Sequence, residues 1–403
     1  MTAPPQVQSP IYLPKGFMFS AVAAGIKASG RPDLALVEAH PQTTAAALFT
    51  RNRVVAAPLV WARSSLHKTR GRVRAAIVNS GNANCATGKN GLRACERICR
   101  EISRLMSIPA EQVFPSSTGI IGVPLPVEKI MGKLPELTAA REASEGAIRR
   151  FAEAIMTTDT RLKLASTKVQ VGSEEFALLG VAKGSGMIHP QLATMLVYLF
   201  TDVAASPAEL KRLLQRACDE TFNCISVDGD TSTNDTVLLL ASGQSGVRLK
   251  SVRNQFEDEL LSICQSLAEQ IVSDGEGVQH VIHLHVEQAR NREEALRVAR
   301  AIAHSLLVKT AWAGADPNWG RILAAVGACG VPVRPEQIEI KIGSQIVFSV
   351  GAVRRFDKDK AHAELSQPSC EVRVRLRRGR SRVLFHTTDL STEYVRINAE
   401  YST

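Results

Sequence analysis

The chain has 403 residues, 45% hydrophobic, 22% charged and 5% aromatic, with a formal net charge of +10. That composition excludes a disordered chain and asks for two or three layers or domains rather than one small core. No apolar run approaches the ~20 residues a membrane-crossing helix needs, so no membrane partner is expected.

The N-terminal stretch MTAPPQVQSPIYLPKGFMFSAVAAGIKASG has no basic segment ahead of its modest apolar part. A secretory signal is therefore not expected, and the location read from the sequence is cytoplasmic. RAAIVNSG (74–81) reads as a strand entering a Gly/Asn loop, and GLRACERICREISRLM (91–106) as an amphipathic helix. FPSSTGIIG (114–122) reads as a loop that ends a short strand. The apolar run after Thr194 in KGSGMIHPQLATMLVYLFTD (183–202) is expected to be a buried helix that Thr194 begins. PAELKRLLQRACDETF (207–222) and NQFEDELLSICQSLAEQIVSDGEG (254–277) are two further helices, the second stopping at glycines. HVIHLHVEQ (280–288) is an alternating strand and NREEALRVARAIAHSLLVKTA (291–311) one long helix. From about residue 337 the chain turns β-rich. The class that follows is α/β or α+β with more than one layer of sheet, and no internal repeat is visible.

Eight cysteines are scattered without a CxxC pair, which reads as small buried hydrophobes rather than a disulfide framework. The strongest basic stretch, EVRVRLRRGRSRVLF, alternates Val372, Val374 and Leu376 with Arg373, Arg375 and Arg377. A period of two describes a strand with one solvated face, turning at Gly379. Interleaved aromatics and known binding motifs are missing nearby, so nucleic acid is not an expected partner. The positive charge suits the approach of anionic small substrates instead.

Several stretches come near a chemical motif. GNANCATGKNG (81–91) lies between strand and helix, yet six residues separate Gly81 from Gly88, and Asn90 stands where a phosphate loop needs Ser or Thr. DGDTSTND (228–235) resembles a calcium loop, but Thr233 replaces its glycine and Leu239 its bidentate Glu. His283 and His285 share one face of a strand without an obvious further zinc ligand, so no metal is expected. Loops such as PSSTG can aim N–H groups and hydroxyls at a developing oxyanion. DGEG (274–277) is a helix cap, or a carboxylate held between glycines for a cationic ligand.

Thr194 permits a sharper reading than a capping hydroxyl. A Thr hydroxyl is a poor nucleophile without an adjacent base. Cleavage of the bond between Ala193 and Thr194 would free an α-amine, with a reference pKa of ~7.7–8.0, to serve as that base. Ala193, Gly184 and Gly186 leave the bond room to distort.

KGSGMIHPQLATMLVYLFTD closely resembles the signature around the nucleophile of the ornithine acetyltransferase family of arginine biosynthesis. PKGFMFSAVAAGIK, NSGNANCATG, PSSTGIIG, IMTTDT, SVDGDTSTNDT, DGEG, KTAWAGADPNWGRILAAVG and YVRINAEYST are similar to further family blocks, in family order and nearly end to end. The resemblance implies self-cleavage between Ala193 and Thr194. It gives an α chain of 1–193 and a β chain of 194–403, two copies of each forming an α2β2 assembly. The implied fold is α/β, with layered sheets packed between helices around an N-terminal threonine nucleophile.

The implied reaction is ping-pong. Thr194 takes the acetyl group of N2-acetylornithine, ornithine leaves, and glutamate collects the acetyl group. Thr118 and Gly119 match the family's oxyanion hole. Thr157, Lys183, Thr194, Glu276, Asn398 and Thr403 fall on its substrate-binding positions. Lys183 suits a substrate carboxylate and Glu276 the terminal ammonium of ornithine. No cofactor is implied, and the use of acetyl-CoA as a second donor stays open, as does a family branch in secondary metabolism with altered acceptors. The NCATG order, Gln191 and His189 depart from the commoner family pattern without removing a residue of assigned chemistry. Two rivals remain. A related N-terminal-nucleophile amide hydrolase or aminopeptidase would hand the acyl group to water, and a non-catalytic nucleotide- or metal-binding protein would need neither cleavage nor Thr194.

Overall fold

The computed structural model describes residues 10–189 and 195–400. Strands β1 (Phe17–Val22), β2 (Leu34–Ala39), β4 (Ala75–Asn82) and β5 (Val113–Ile120) form one sheet in that order. A second sheet runs β3 (Thr44–Phe49), β10 (Thr236–Ala241), β8 (Leu196–Thr201), β7 (Glu174–Lys183) and β6 (Lys163–Val171).

These two sheets stack face to face because both inner faces are apolar. On β8, Leu196, Tyr198 and Phe200 join Phe17, Phe19, Val37 and Val78 of the first sheet in one core. The alternate residues Val197 and Leu199 pack with α5 (Pro207–Glu220) and α6 (Arg253–Ser273) instead. Every position of β8 is therefore buried. This corrects the expected helix after Thr194: a six-residue run buried on both faces carries no period that separates strand from helix.

On the outer face of the first sheet, Ile98, Cys99 and Ile102 of α2 (Gly88–Met106) and Leu134 of α3 (Val127–Ala139) cover Leu34, Leu36 and Ile77. Beside β1, α4 (Glu145–Ala154) places Phe151 edge-on to Phe19 and Tyr198, with ring centroids 5.8 and 5.6 Å away. The first part of the architecture is thus four layers: helices, sheet, sheet, helices. A further helix, α1 (Ala57–Lys68), begins with Pro58 in its first turn, where the missing N–H costs nothing.

The third sheet is ordered β14 (Ala352–Val353), β13 (Gln345–Ser349), β12 (Glu339–Ile342), β15 (Ser369–Arg375), β11 (Val281–Ala289), β16 (Ser381–Thr388) and β9 (Ile225–Ser226). Helices α7 (Arg292–Ala303), α8 (Leu306–Ala313) and α9 (Trp319–Ala328) bury Val298, Ile302, Trp312 and Val326 against Leu284, Val286, Val372 and Phe385. The long helix expected over 291–311 is two, because Ser305 caps α8 by accepting from the Val308 N–H. The strands on either side of Gly379 do not pair with each other, since β11 lies between them. On the open face part of the basic stretch is paired with carboxylates, Arg375 donating to Glu287 at 2.9 Å and to Glu339 at 3.0 Å. The remaining helices are α10 (Lys358–Leu365) and α11 (Thr392–Glu400). Among the described residues no helix is long and apolar enough to cross a membrane.

Candidate active site

PSSTG is not a loop after a strand but the last part of β5 itself, paired in parallel with β4 so that Ser80 faces Thr118 and Gly81 faces Gly119. Gly119 has φ +128°, and a Cβ there would stand 2.4 Å from the Gly81 carbonyl carbon and 2.5 Å from the Asn82 nitrogen. Only glycine fits such an approach. Ser117 donates to Asn79 Oδ1 at 2.6 Å, and Asn234 donates to the carbonyls of Ala83 and Ser117 at 2.7 and 2.9 Å. The DGDTSTND segment therefore clamps the ends of β4 and β5.

Lys183 closes β7 and is 3% exposed. Its Nζ donates to Thr157 Oγ1 at 2.8 Å and to Thr118 Oγ1 at 3.4 Å. Burial pulls its ammonium below the ordinary lysine range, against the opposing attraction of Asp159. Thr118, Thr157 and Lys183, expected from three separate stretches, thus meet around one point.

Glu276 follows the end of α6, and Asn398 Nδ2 donates to its Oε2 at 2.9 Å. The Glu276 N–H donates to the Ser185 carbonyl at 3.0 Å, and its carboxylate lies over Gly186, where a Cβ would come within 2.3 Å. The same turn offers the Met187 N–H to Asp228 at 2.5 Å. Burial pushes the Asp228 carboxyl up to about 6, with the nearby charges of Asp230 and Glu276 adding to the effect. Burial raises the Tyr394 phenol too, and Asp228 and Glu276 raise it further. One end of the site is thus cationic and hydroxyl-rich, and the other is a bank of carboxylates.

Ala193, Thr194, Gln191 and Thr403 lie outside the described residues. Met195, to which Thr194 is bonded, donates its N–H to Asp235 Oδ1 at 3.0 Å, and Leu196 is registered against Lys183 across β7 and β8. Asp235 is fully buried, and that burial raises its carboxyl well above the usual range.

Three residues that sequence reasoning did not single out support this arrangement. Asp159 accepts from the Gly184 N–H at 2.6 Å, the Thr157 N–H at 3.0 Å and Lys163 Nζ at 2.7 Å. Lys163 also donates to Asp274 at 2.6 Å. Asp159 sits inside IMTTDT and Asp274 opens DGEG, so both lay within noticed blocks, whereas Lys163 carries no motif signal at all. Elsewhere, His283 Nδ1 meets His386 Nδ1 at 2.8 Å, and His189 meets His304 at 3.1 Å. Among the described residues no group of three or more His, Cys, Asp or Glu is placed to hold a metal ion.

The ArgJ family model matches residues 18–403. The arginine biosynthesis bifunctional protein ArgJ of Thermus thermophilus is 44% identical over 98% of this chain and 100% of its own length. The protein of the same name from Thermosynechococcus vestitus is 40% identical over 99% of both chains. A crystal structure of arginine biosynthesis bifunctional protein argJ from Bacillus halodurans is 39% identical with a TM-score of 0.48, covering 50% of this chain and 96% of that one. With the family model matched from β1 to the C-terminus and relatives aligned along nearly their whole length, the chain belongs to the ArgJ family.

Proposed function

We propose that this enzyme of arginine biosynthesis moves an acetyl group from N2-acetylornithine to glutamate through an acetyl ester on Thr194. The observation that carries the reading is the meeting of Lys183 with Thr157 and Thr118, at the strand end registered against the residues just after Thr194.

The chain cuts itself between Ala193 and Thr194, and the freed α-amine takes the proton of the Thr194 hydroxyl. The oxygen attacks the acetyl carbonyl, and Thr118 and Gly119 stabilise the oxyanion. Lys183 and Thr157 receive the substrate carboxylate. Glu276 and Asn398 receive the ornithine ammonium, and Thr403 is a further proposed substrate-binding residue. Ornithine leaves, and the glutamate α-amine attacks the ester and regenerates Thr194. The reaction needs no cofactor, and acetyl-CoA enters as a second acetyl donor to the same hydroxyl.

Cleavage would leave an α chain of 1–193 and a β chain of 194–403 interlocked, a reading supported by the pairing of β7 with β8 and of β3 with β10. Two such protomers form the proposed α2β2 assembly, working in the cytoplasm.

The test is a half-reaction. Enzyme given N2-acetylornithine alone is expected to release one equivalent of ornithine per site and to carry an acetyl group on the peptide that starts at Thr194. Added glutamate then yields N-acetylglutamate. Steady release of free acetate, indifferent to glutamate, would make the enzyme a hydrolase instead.

A further inference from the structure

A buried ammonium ion sheds its proton unless a carboxylate balances it. Lys183 is 3% exposed, and its hydrogen bonds go to two neutral hydroxyls, those of Thr157 and Thr118. Its ion-pair partner among the described residues is Asp159, whose Oδ2 lies 3.9 Å away.

Asp159 is itself fully buried and heavily committed. Its Oδ1 accepts from the Gly184 N–H and from Lys163, and its Oδ2 accepts from the Thr157 N–H. One carboxylate therefore fixes the backbone next to Lys183 and the backbone of the threonine to which Lys183 donates. Lys163, 1% exposed, lies between Asp159 and Asp274 at 2.7 and 2.6 Å. Asp274 is held in turn by the N–H groups of Thr160 and Arg161 and by the Thr160 hydroxyl.

The charges decide what this network is for. Lys163 stands between two carboxylates and neutralises one of them, so one negative charge is left over, and Lys183 balances it. Lys163 touches both of its partners, whereas Lys183 stands off from Asp159 by 3.9 Å. Lys183 is thus held charged without being saturated, and its charge stays available to another carboxylate.

We propose that Asp159 is the positioning residue for Lys183, keeping its ammonium charged and aimed between Thr157 and Thr118, with Lys163 and Asp274 fixing Asp159 in place. The inference rests on the reading of Lys183 as the group that receives the substrate carboxylate. Other charged groups act on Lys183 from neighbouring elements: Asp235 ahead of β10 and Glu276 after α6 attract it, while Lys163 on β6 and Lys27 after β1 repel it.

The test measures ornithine affinity by calorimetry across the neutral and alkaline range for wild type, Asp159→Asn, Lys163→Met and Lys183→Met. The ionisation of ornithine itself is common to all four and cancels. Asp159→Asn is expected to lose affinity about one to three pH units lower than wild type, so that its Kd is about tenfold or more weaker at mildly alkaline pH. Lys163→Met removes a repelling charge and leaves Asp274 its Thr160 and Arg161 partners, so its affinity persists to higher pH than wild type. If Asp159→Asn does not fold, Asp159→Glu, which keeps the charge and displaces the carboxylate, decides: a profile moved to lower pH supports the positioning role, and one that coincides with wild type overturns it. Identical pH profiles for wild type and the folded variants would overturn the positioning role. A Lys183→Met protein that binds ornithine like wild type would overturn the reading of Lys183 itself, and the inference with it.

Discussion

Gly119 on β5 lies so close to Gly81 on β4 that a side chain on Gly119 would stand 2.4 Å from the Gly81 carbonyl carbon. Two paired strands have shed their side chains at the same register position, and Thr118 immediately precedes it. The approach sets where the N–H and hydroxyl at the end of β5 can point.

Gly119→Ala therefore meets both a strained φ of +128° and a backbone clash. The strain alone is of order 1–3 kcal/mol. We expect a lower melting temperature and a loss of kcat of about 10²-fold or more, because the groups proposed to hold the oxyanion shift. Unchanged turnover in a folded Gly119→Ala protein would remove this glycine from the site.

Thr118 separates from Gly119 by chemistry rather than geometry. Thr118→Ala deletes the hydroxyl that lies 3.4 Å from Lys183 Nζ. If Thr118 is the oxyanion donor proposed above, its loss should lower kcat by ~10²–10³ with little change in KM, and Thr118→Ser should restore most of it. A rise in KM at constant kcat would instead assign Thr118 to ground-state binding.

Glu276→Gln keeps the Asn398 contact possible and removes one charge from the carboxylate bank. A hydrogen bond to a charged group is worth about 1.5–3 kcal/mol. Ornithine Kd and the KM for N2-acetylornithine should rise by about tenfold or more, while the KM for glutamate should not. Equal losses for both substrates would place Glu276 in a structural role.

Asp228 makes a prediction about stability and pH. Its carboxyl titrates near 6 in the folded protein against an ordinary 3.8. The folded state then binds the proton more tightly than the unfolded chain. This group accordingly favours folding below about pH 4, and the contribution is lost as pH rises to about 6 and stays lost above. At ~1.36 kcal/mol per pH unit the change is of order 3 kcal/mol. Asp228→Asn should flatten that part of the stability profile relative to wild type, as read by denaturant unfolding at a series of pH values. Parallel profiles would show that Asp228 titrates normally.

How far the molecule could be read from its sequence varied with the kind of signal. The helices expected over 91–106, 207–222 and 254–277, observed as Gly88–Met106, Pro207–Glu220 and Arg253–Ser273, were legible because one apolar stripe faces a sheet and the other side is charged. The run after Thr194 was not, because β8 is buried on both faces and its period vanishes. Ser305 divides the helix expected over 291–311 by a cap that competes weakly with a continuous helical pattern. PSSTG looks like a loop by composition, yet pairing with β4 makes it strand. Thr118, Thr157 and Lys183 stand in separate sequence blocks that the fold brings into contact, as do Glu276 and Asn398. Asp159 and Lys163 are bonded to each other only four residues apart, but the contacts that tie the pair to the site are distant, Asp159 to Gly184 25 residues apart and Lys163 to Asp274 111 apart, and no local spacing encodes those.

The most direct test of the account is the intact mass of the purified protein under denaturing conditions, beside a Thr194→Ala variant. The account predicts two fragments in the wild type, split immediately before Thr194, and one uncut chain of 43.6 kDa in the variant. An uncut wild-type chain that still moves acetyl groups from N2-acetylornithine to glutamate would contradict it, because no free α-amine would then exist to activate Thr194.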